Sequence, residues 1–165
     1  MHHPRNNITT IYYTMKRLQL RSKDVSHELE RYNFEISKKD QVELLENNGL
    51  KLLLINKEPA FFWFEQQWVP HLKLLQKKEL LRKITIDMGA IRFIVNGADV
   101  MRPGIVEIEV GIPKDDLVVI IDQNNKKPLA VGIALFDTEG MKALAQGRAV
   151  KTIHYVGDEM WKVER

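Results

Sequence analysis

The chain has 165 residues and no cysteine. Disulfides and thiolate-bound zinc are therefore excluded, and a reducing compartment fits this composition. Long apolar runs are also missing. The longest, from Pro128 to Leu135, is far too short to cross a bilayer. The N-terminus carries no apolar run after its basic residues, so no secretory signal is expected. The sequon Asn7-Ile8-Thr9 then reads as chance. His2-His3 reads as part of a mobile terminus, not a metal site. Catalytic patterns are absent too. His27-Glu28 lacks the second histidine of a metalloprotease helix, and there is no phosphate-binding glycine loop, dinucleotide fingerprint or Gly-x-Ser-x-Gly turn. Neither a catalytic residue, nor a metal ligand, nor a cofactor is expected.

Charge of one sign is scarce. The net charge is +3. Residues 1–78 hold 13 Lys or Arg against 9 Asp or Glu, and residues 79–165 hold 12 against 13. The first part is thus +4 and the second −1. So mild a balance supports polyanion binding only through a local basic cluster.

What is present centres on Thr85 to Ile108. Ile91, Ile94, Val95 and Ala98 fall at i, i+3, i+4 and i+7, one helical stripe. Asp87 is placed to cap that helix, and Gly97 to end it in a left-handed conformation. Arg102-Pro103-Gly104 then predicts a rigid turn, and Val106 to Val110 an alternating strand.

The first half predicts a helix over Lys23 to Tyr32. Asn48-Gly49 predicts a hairpin between Val42–Leu45 and Leu50–Ile55, because both turn positions need positive φ. Ala60 to Phe64 gives another strand, and Val69 to Gln76 runs into a short helix. Tyr12-Tyr13 reads as the possible start of an ordered segment, and Lys16 to Leu20 as a short strand. Beyond the central stretch, strands are expected over Leu117–Ile121, Pro128–Phe136, Ala149–Val156 and Met160–Val163. Gly132 suits a bulge. Asp137-Thr138 caps a helix facing Met141, Leu144 and Ala145 to the core. The fold class is α+β. A small N-terminal antiparallel-sheet α+β domain over residues 1–78 precedes a mixed β-barrel with two helices over residues 79–165.

Gly89-Ala90, Gly97-Ala98, Val100-Met101 and Pro103-Gly104, in this order and spacing, resemble the signature of the PUA domain. That module binds RNA and folds as a pseudobarrel. Phe61-Phe62, the stretch Pro70 to Leu75 and the tail Ile153 to Asp158 with Trp161 resemble one subfamily. It comprises the translation-associated proteins related to the malignant T-cell-amplified protein and to ligatin.

The resemblance implies a cytoplasmic, non-catalytic RNA-binding protein. It would contact the small ribosomal subunit or tRNA during initiation or recycling, with an SUI-like domain protein as a possible partner. Two other roles stay open: a specificity subunit for an RNA-modifying enzyme, and a protein-interaction module. Carried over by position, the RNA groove would comprise Arg92, Gly97, Ala98, Arg102, Gly104, Lys151, Thr152 and Tyr155. Guanidinium groups there can grip phosphate, and glycine lets a strand approach. His154 reads as a structural histidine and Glu107 and Glu109 as a solvated strand face. Phe61, Phe62, Trp63 and Trp68 read as core or base-stacking residues. The expected outcome of Arg102→Glu with Lys151→Glu is weaker RNA binding on an intact fold, read by titration at low salt.

Overall fold

The computed structural model describes residues 16–163. The readings of His2-His3, Asn7-Ile8-Thr9 and Tyr12-Tyr13 lie outside the described residues. The chain forms two compact units. One runs up to Pro70 and includes the chain from Lys162 onward, and the other is His71–Trp161.

The first unit is a five-stranded antiparallel meander in sequence order. Its strands are β1 (Lys16–Leu20), β2 (Val42–Asn47), β3 (Leu50–Ile55), β4 (Glu58–Phe64) and β5 (Gln67–Pro70). Three two-residue turns join β2 to β5, and each has both residues left-handed. They are Asn48-Gly49, Asn56-Lys57 and Glu65-Gln66. That geometry matches the twist of paired strands. Only the first turn carries the Asn-Gly signal, so the last hairpin is hidden in the sequence. Gln67–Pro70 is a strand in its own right before helix α2 (Leu72–Leu75) begins.

The expected first helix is broken into pieces. Helix α1 (Ser26–Leu29) is flanked by 3-10 turns at Ser22–Asp24 and Glu30–Tyr32. Asn33, at φ 53°, ends the run. The fully buried Phe61 anchors the unit. Tyr32 packs against it with ring centroids 5.7 Å apart, and Phe34 meets it edge-on at 5.2 Å. The Tyr32 hydroxyl donates to the Trp68 carbonyl. Phe61 and Phe62 are thus core residues, and Trp63 and Trp68 pack edge to face at 5.0 Å.

The second unit is a six-stranded mixed sheet curled into a nearly closed barrel. Its strands are β6 (Arg82–Ile86), β7 (Val100–Met101), β8 (Ile105–Ile108), β9 (Leu117–Asp122), β10 (Pro128–Ala134) and β11 (Arg148–Tyr155). The order is β7-β11-β10-β9-β6-β8, with β6 and β9 parallel and the other pairs antiparallel. Short helices α3 (Ile91–Ile94) and α4 (Thr138–Ala143) pack on it. Ile84, Ile86, Ile94, Ile120 and Met141 fill the interior.

Two expectations change. Ala145 is exposed, because α4 stops at Ala143. Met160 to Val163 forms turns and irregular chain, not a strand. The Asp158 carboxylate accepts the peptide N–H groups of Tyr155 and Trp161 at 2.9 and 2.8 Å, which coils the chain there.

Gly132 does sit at a bulge, between β10 and β11. A Cβ there would lie 2.3 Å from Val150 Cγ1 and 2.8 Å from the Lys151 carbonyl oxygen. The backbone oxygen cannot swing away. Gly132→Ala is therefore expected to cost about 1–3 kcal/mol, the range of an overpacked core, measured by urea unfolding.

Candidate nucleic-acid interface

The site grows from the corner that follows β6. Asp87 Oδ1 accepts the Ala90 N–H at 2.9 Å, and the Asp87 N–H donates to the Gly104 carbonyl at 2.9 Å. This capping starts a 3-10 turn, Met88–Ala90, that runs directly into α3. The helix is short. Gly97, at φ 89°, lets the chain reverse, and the Ala98 N–H returns to the Phe93 carbonyl at 3.0 Å. Ile94 is buried as the stripe predicts, whereas Ala98 is exposed because the helix has already ended. Gly104 sits at a close approach: a Cβ there would lie 3.1 Å from that of Ala90.

Strand β11 closes the corner. The Thr152 hydroxyl donates to the Ala98 carbonyl at 2.9 Å, and the Thr152 N–H to Asp99 Oδ1 at 2.9 Å. Arg148 Nη1 reaches Asp99 Oδ2 at 3.1 Å. A Cβ on Gly97 would lie 3.1 Å from the Tyr155 ring. The structure therefore brings Gly97, Ala98, Thr152 and Tyr155 together.

Arg102 is differently employed. Its Nε donates to the Met141 carbonyl at 2.8 Å, and Nη1 to the Ile105 carbonyl at 3.2 Å. It staples the turn to α4, so replacing it would remove the two hydrogen bonds that tie the turn to α4 and to the start of β8. The expectation that Arg102→Glu spares the fold is corrected on that ground. Arg92 is exposed, with its guanidinium carbon 4.7 Å from the Phe93 ring centroid. Lys151 is exposed on β11 but does not line the concavity described next.

Between α3, β7 and the Pro103-Gly104 turn lies a groove of about 630 Å³. Ala90, Phe93, Ala98, Met101 and Pro103 form its mostly apolar walls, and Asp87, Asp99 and Arg148 are its charged members. Phe93 is 53% exposed and Met101 48%, unusual for large apolar side chains. Sequence reasoning missed Phe93, Met101, Asp99 and Arg148. Phe93 had a usable signal, since an aromatic off the buried stripe must face solvent. The Asp99–Arg148 pair had none, because its partners are 49 residues apart. An open aromatic face beside cations can stack an unpaired base, and the guanidiniums can meet its phosphates.

The histidines of this unit are structural. His154 is fully buried, as expected. Its Nε2 accepts from the Leu72 N–H at 3.2 Å, which places the proton on Nδ1, donated to Asp158 at 2.8 Å. His71 accepts from the Lys73 N–H at 3.0 Å through Nδ1 and donates Nε2–H to the Met160 carbonyl at 3.1 Å. The rings lie 4.6 Å apart between centroids. Burial, and then the neighbouring His154, push His71 from 6.5 down to about 3. Burial alone would raise the Asp158 carboxyl. The His154 hydrogen bond and the two peptide N–H groups outweigh it and hold Asp158 below its ordinary value.

The comparisons with known proteins fall on this architecture. The PUA domain model matches residues 82–156, which contain the whole groove. A second model, a domain of unknown function (DUF1947), matches residues 19–78. The chain is a PUA-domain protein with that N-terminal partner domain. An uncharacterized protein of Methanocaldococcus jannaschii is 44% identical over 130 residues, 76% of this chain and 78% of its own. Translation machinery-associated protein 20 of Saccharomyces cerevisiae is 33% identical over 134 residues, 76% of this chain and 74% of its own. A solved structure of a hypothetical protein from Pyrococcus horikoshii superposes with a TM-score of 0.80 at 32% identity, covering 91% of this chain and 100% of that one. The chain belongs to the family of translation machinery-associated protein 20 and malignant T-cell-amplified sequence 1.

The depressed His71 value fixes a pH dependence. Unfolded chain takes up the histidine proton near pH 6.5, and folded chain only near 3. The His71 contribution to stability is therefore fully present above about 6.5 and is lost as pH falls from there toward 3. The urea midpoint should fall accordingly, and His71→Gln should flatten the decline.

Proposed function

We propose that this protein binds single-stranded RNA in the groove beside Phe93 and acts in translation without a chemical step of its own. The PUA domain and kinship with translation machinery-associated protein 20 support the RNA-binding, translation-associated role. The finer reading is contact with the small ribosomal subunit or the acceptor end of tRNA in the cytoplasm, during initiation or recycling. An SUI-like domain protein is the partner that the family resemblance suggests.

The half-exposed Phe93 carries this reading, set in an apolar groove with Arg92 against its ring and Arg148 at the groove. Such a surface suits unpaired bases more than a duplex, whose bases are stacked away. The groove holds few fixed cations. Phosphate contacts must come from Arg92, Arg148 and Lys151, with Gly97 and Gly104 letting Tyr155 and Ala90 pack close and Thr152 and Tyr155 bracing β11.

The test is fluorescence anisotropy with a single-stranded oligonucleotide matching a tRNA acceptor end, with co-sedimentation of small ribosomal subunits in parallel. Phe93→Ala should cost about 1–3 kcal/mol of affinity, the value of one stacked base. Arg92→Glu with Lys151→Glu should lower the salt slope by about 1 for each phosphate no longer gripped, without disturbing the fold. Unchanged affinity and slope in both variants would remove the groove from consideration.

A further inference from the structure

A second concavity, sharing no residue with the groove, opens on the outer face of the barrel sheet. Its volume is about 690 Å³. Along β6 and β9, Ile84, Ile86, Val118 and Ile120 point into the core. The alternate residues Thr85, Val119 and Ile121 form the floor of this cleft. The register sets its width. Glu107 stands opposite Thr85, which stands opposite Ile121. In the next row the Glu109 N–H donates to the Lys83 carbonyl at 3.1 Å, and Lys83 stands opposite Val119. Pro128 continues the first row beyond Ile121. The segment Leu75 to Leu81 contributes the remaining wall with its leucines and with Lys77.

The charges divide across this floor. Glu107 and Glu109 belong to β8 and its end, and β8 is the edge strand of the sheet. Lys126 lies in the β9–β10 loop beside Pro128, at the other end of the row, and Lys77 in the leucine segment. Lys83 and Glu79 neutralise each other at 2.6 Å. Among the described residues, Glu107, Glu109, Lys77 and Lys126 enter no ion pair. Unspent charges of both signs therefore border an apolar strip.

RNA is the wrong occupant, because the β8 carboxylates repel phosphate. An aliphatic ligand would leave all four charges unmatched. Charge complementarity selects polypeptide. We propose that this cleft binds an extended peptide segment of a partner protein. The segment is basic where it passes Glu107 and Glu109, aliphatic over Val119 and Ile121, and acidic where it meets Lys77 and Lys126. Alternating side chains of an extended chain can reach floor and rim together. The protein would then hold RNA and a protein partner at separate places on one unit.

The test starts from a phage-displayed random dodecapeptide selection on the full chain, with the enriched sequences made as fluorescein-labelled peptides. Enriched peptides should pair basic and acidic ends around an aliphatic residue. Glu107→Lys with Glu109→Lys should weaken them at least tenfold, and so should Lys77→Glu with Lys126→Glu. All four positions are exposed or half-buried, so the variants should fold. A peptide with its two ends exchanged in charge should regain affinity for the double-lysine variant, which a merely damaged protein could not do. RNA affinity through Phe93 should not change in the Glu107→Lys, Glu109→Lys chain, so this outcome is separate from that of the groove. Failure to enrich any peptide overturns the proposal, as do peptides indifferent to both variants. It is equally overturned if the substitutions alter only RNA affinity or self-association of the chain.

Discussion

The barrel depends on one topological constraint: β6 lies between a parallel neighbour, β9, and an antiparallel one, β8. A strand that follows β6 antiparallel beside it would ordinarily need only a tight turn. Here the chain between Ile86 and Ile105 instead leaves the sheet, forms α3, contributes the short β7 to the opposite edge and returns. The excursion must satisfy its own backbone groups. It does so by binding itself to the sheet's end: Asp87 caps Ala90 and bonds Gly104, and Arg102 takes carbonyls from α4 and from the start of β8. The groove is the space this loop-out encloses, so fold and candidate interface share one cause.

That cause also distributes the charges. An arginine inside the corner donates to carbonyls of α4 and β8, which is why Arg102 is structural while Arg92, exposed on α3, stays in solvent. Asp99 plays the complementary part on the β11 side by holding Thr152 and Arg148. The second half is mildly acidic overall, yet its acids are mostly used locally. Asp87 and Asp137 cap helical turns, Asp122 accepts two loop N–H groups, and Asp158 serves His154 and the final turn. Net charge therefore says little about what either concavity can accept. The charges left unpaired decide it.

The buried His71–His154 pair follows the same logic at higher stakes. Each ring nitrogen has a partner, so two polar side chains are accommodated in an apolar interior. The lowered His71 value is the electrostatic consequence of that arrangement and does not mark a catalytic group. Perturbed titration identifies active sites only when the group also opens onto a cleft, and these two rings are fully buried.

Local chemistry was readable from the chain alone. The Asp87 cap, the Gly97 reversal, the Asn48-Gly49 turn, the Gly132 bulge and the apolar β9 each follow from a few neighbouring residues, because steric and hydrogen-bonding limits act over that distance. The PUA signature was legible for the same reason, being a run of such local devices. Tertiary structure alone decided the rest. The β4–β5 hairpin uses left-handed Glu65 and Gln66 without a glycine signal, the Arg102 staple meets a carbonyl 39 residues away, and Asp99 meets Arg148 across 49. Which side chain is left exposed, and which charge is left unpaired, depends on what the fold brings from far along the chain.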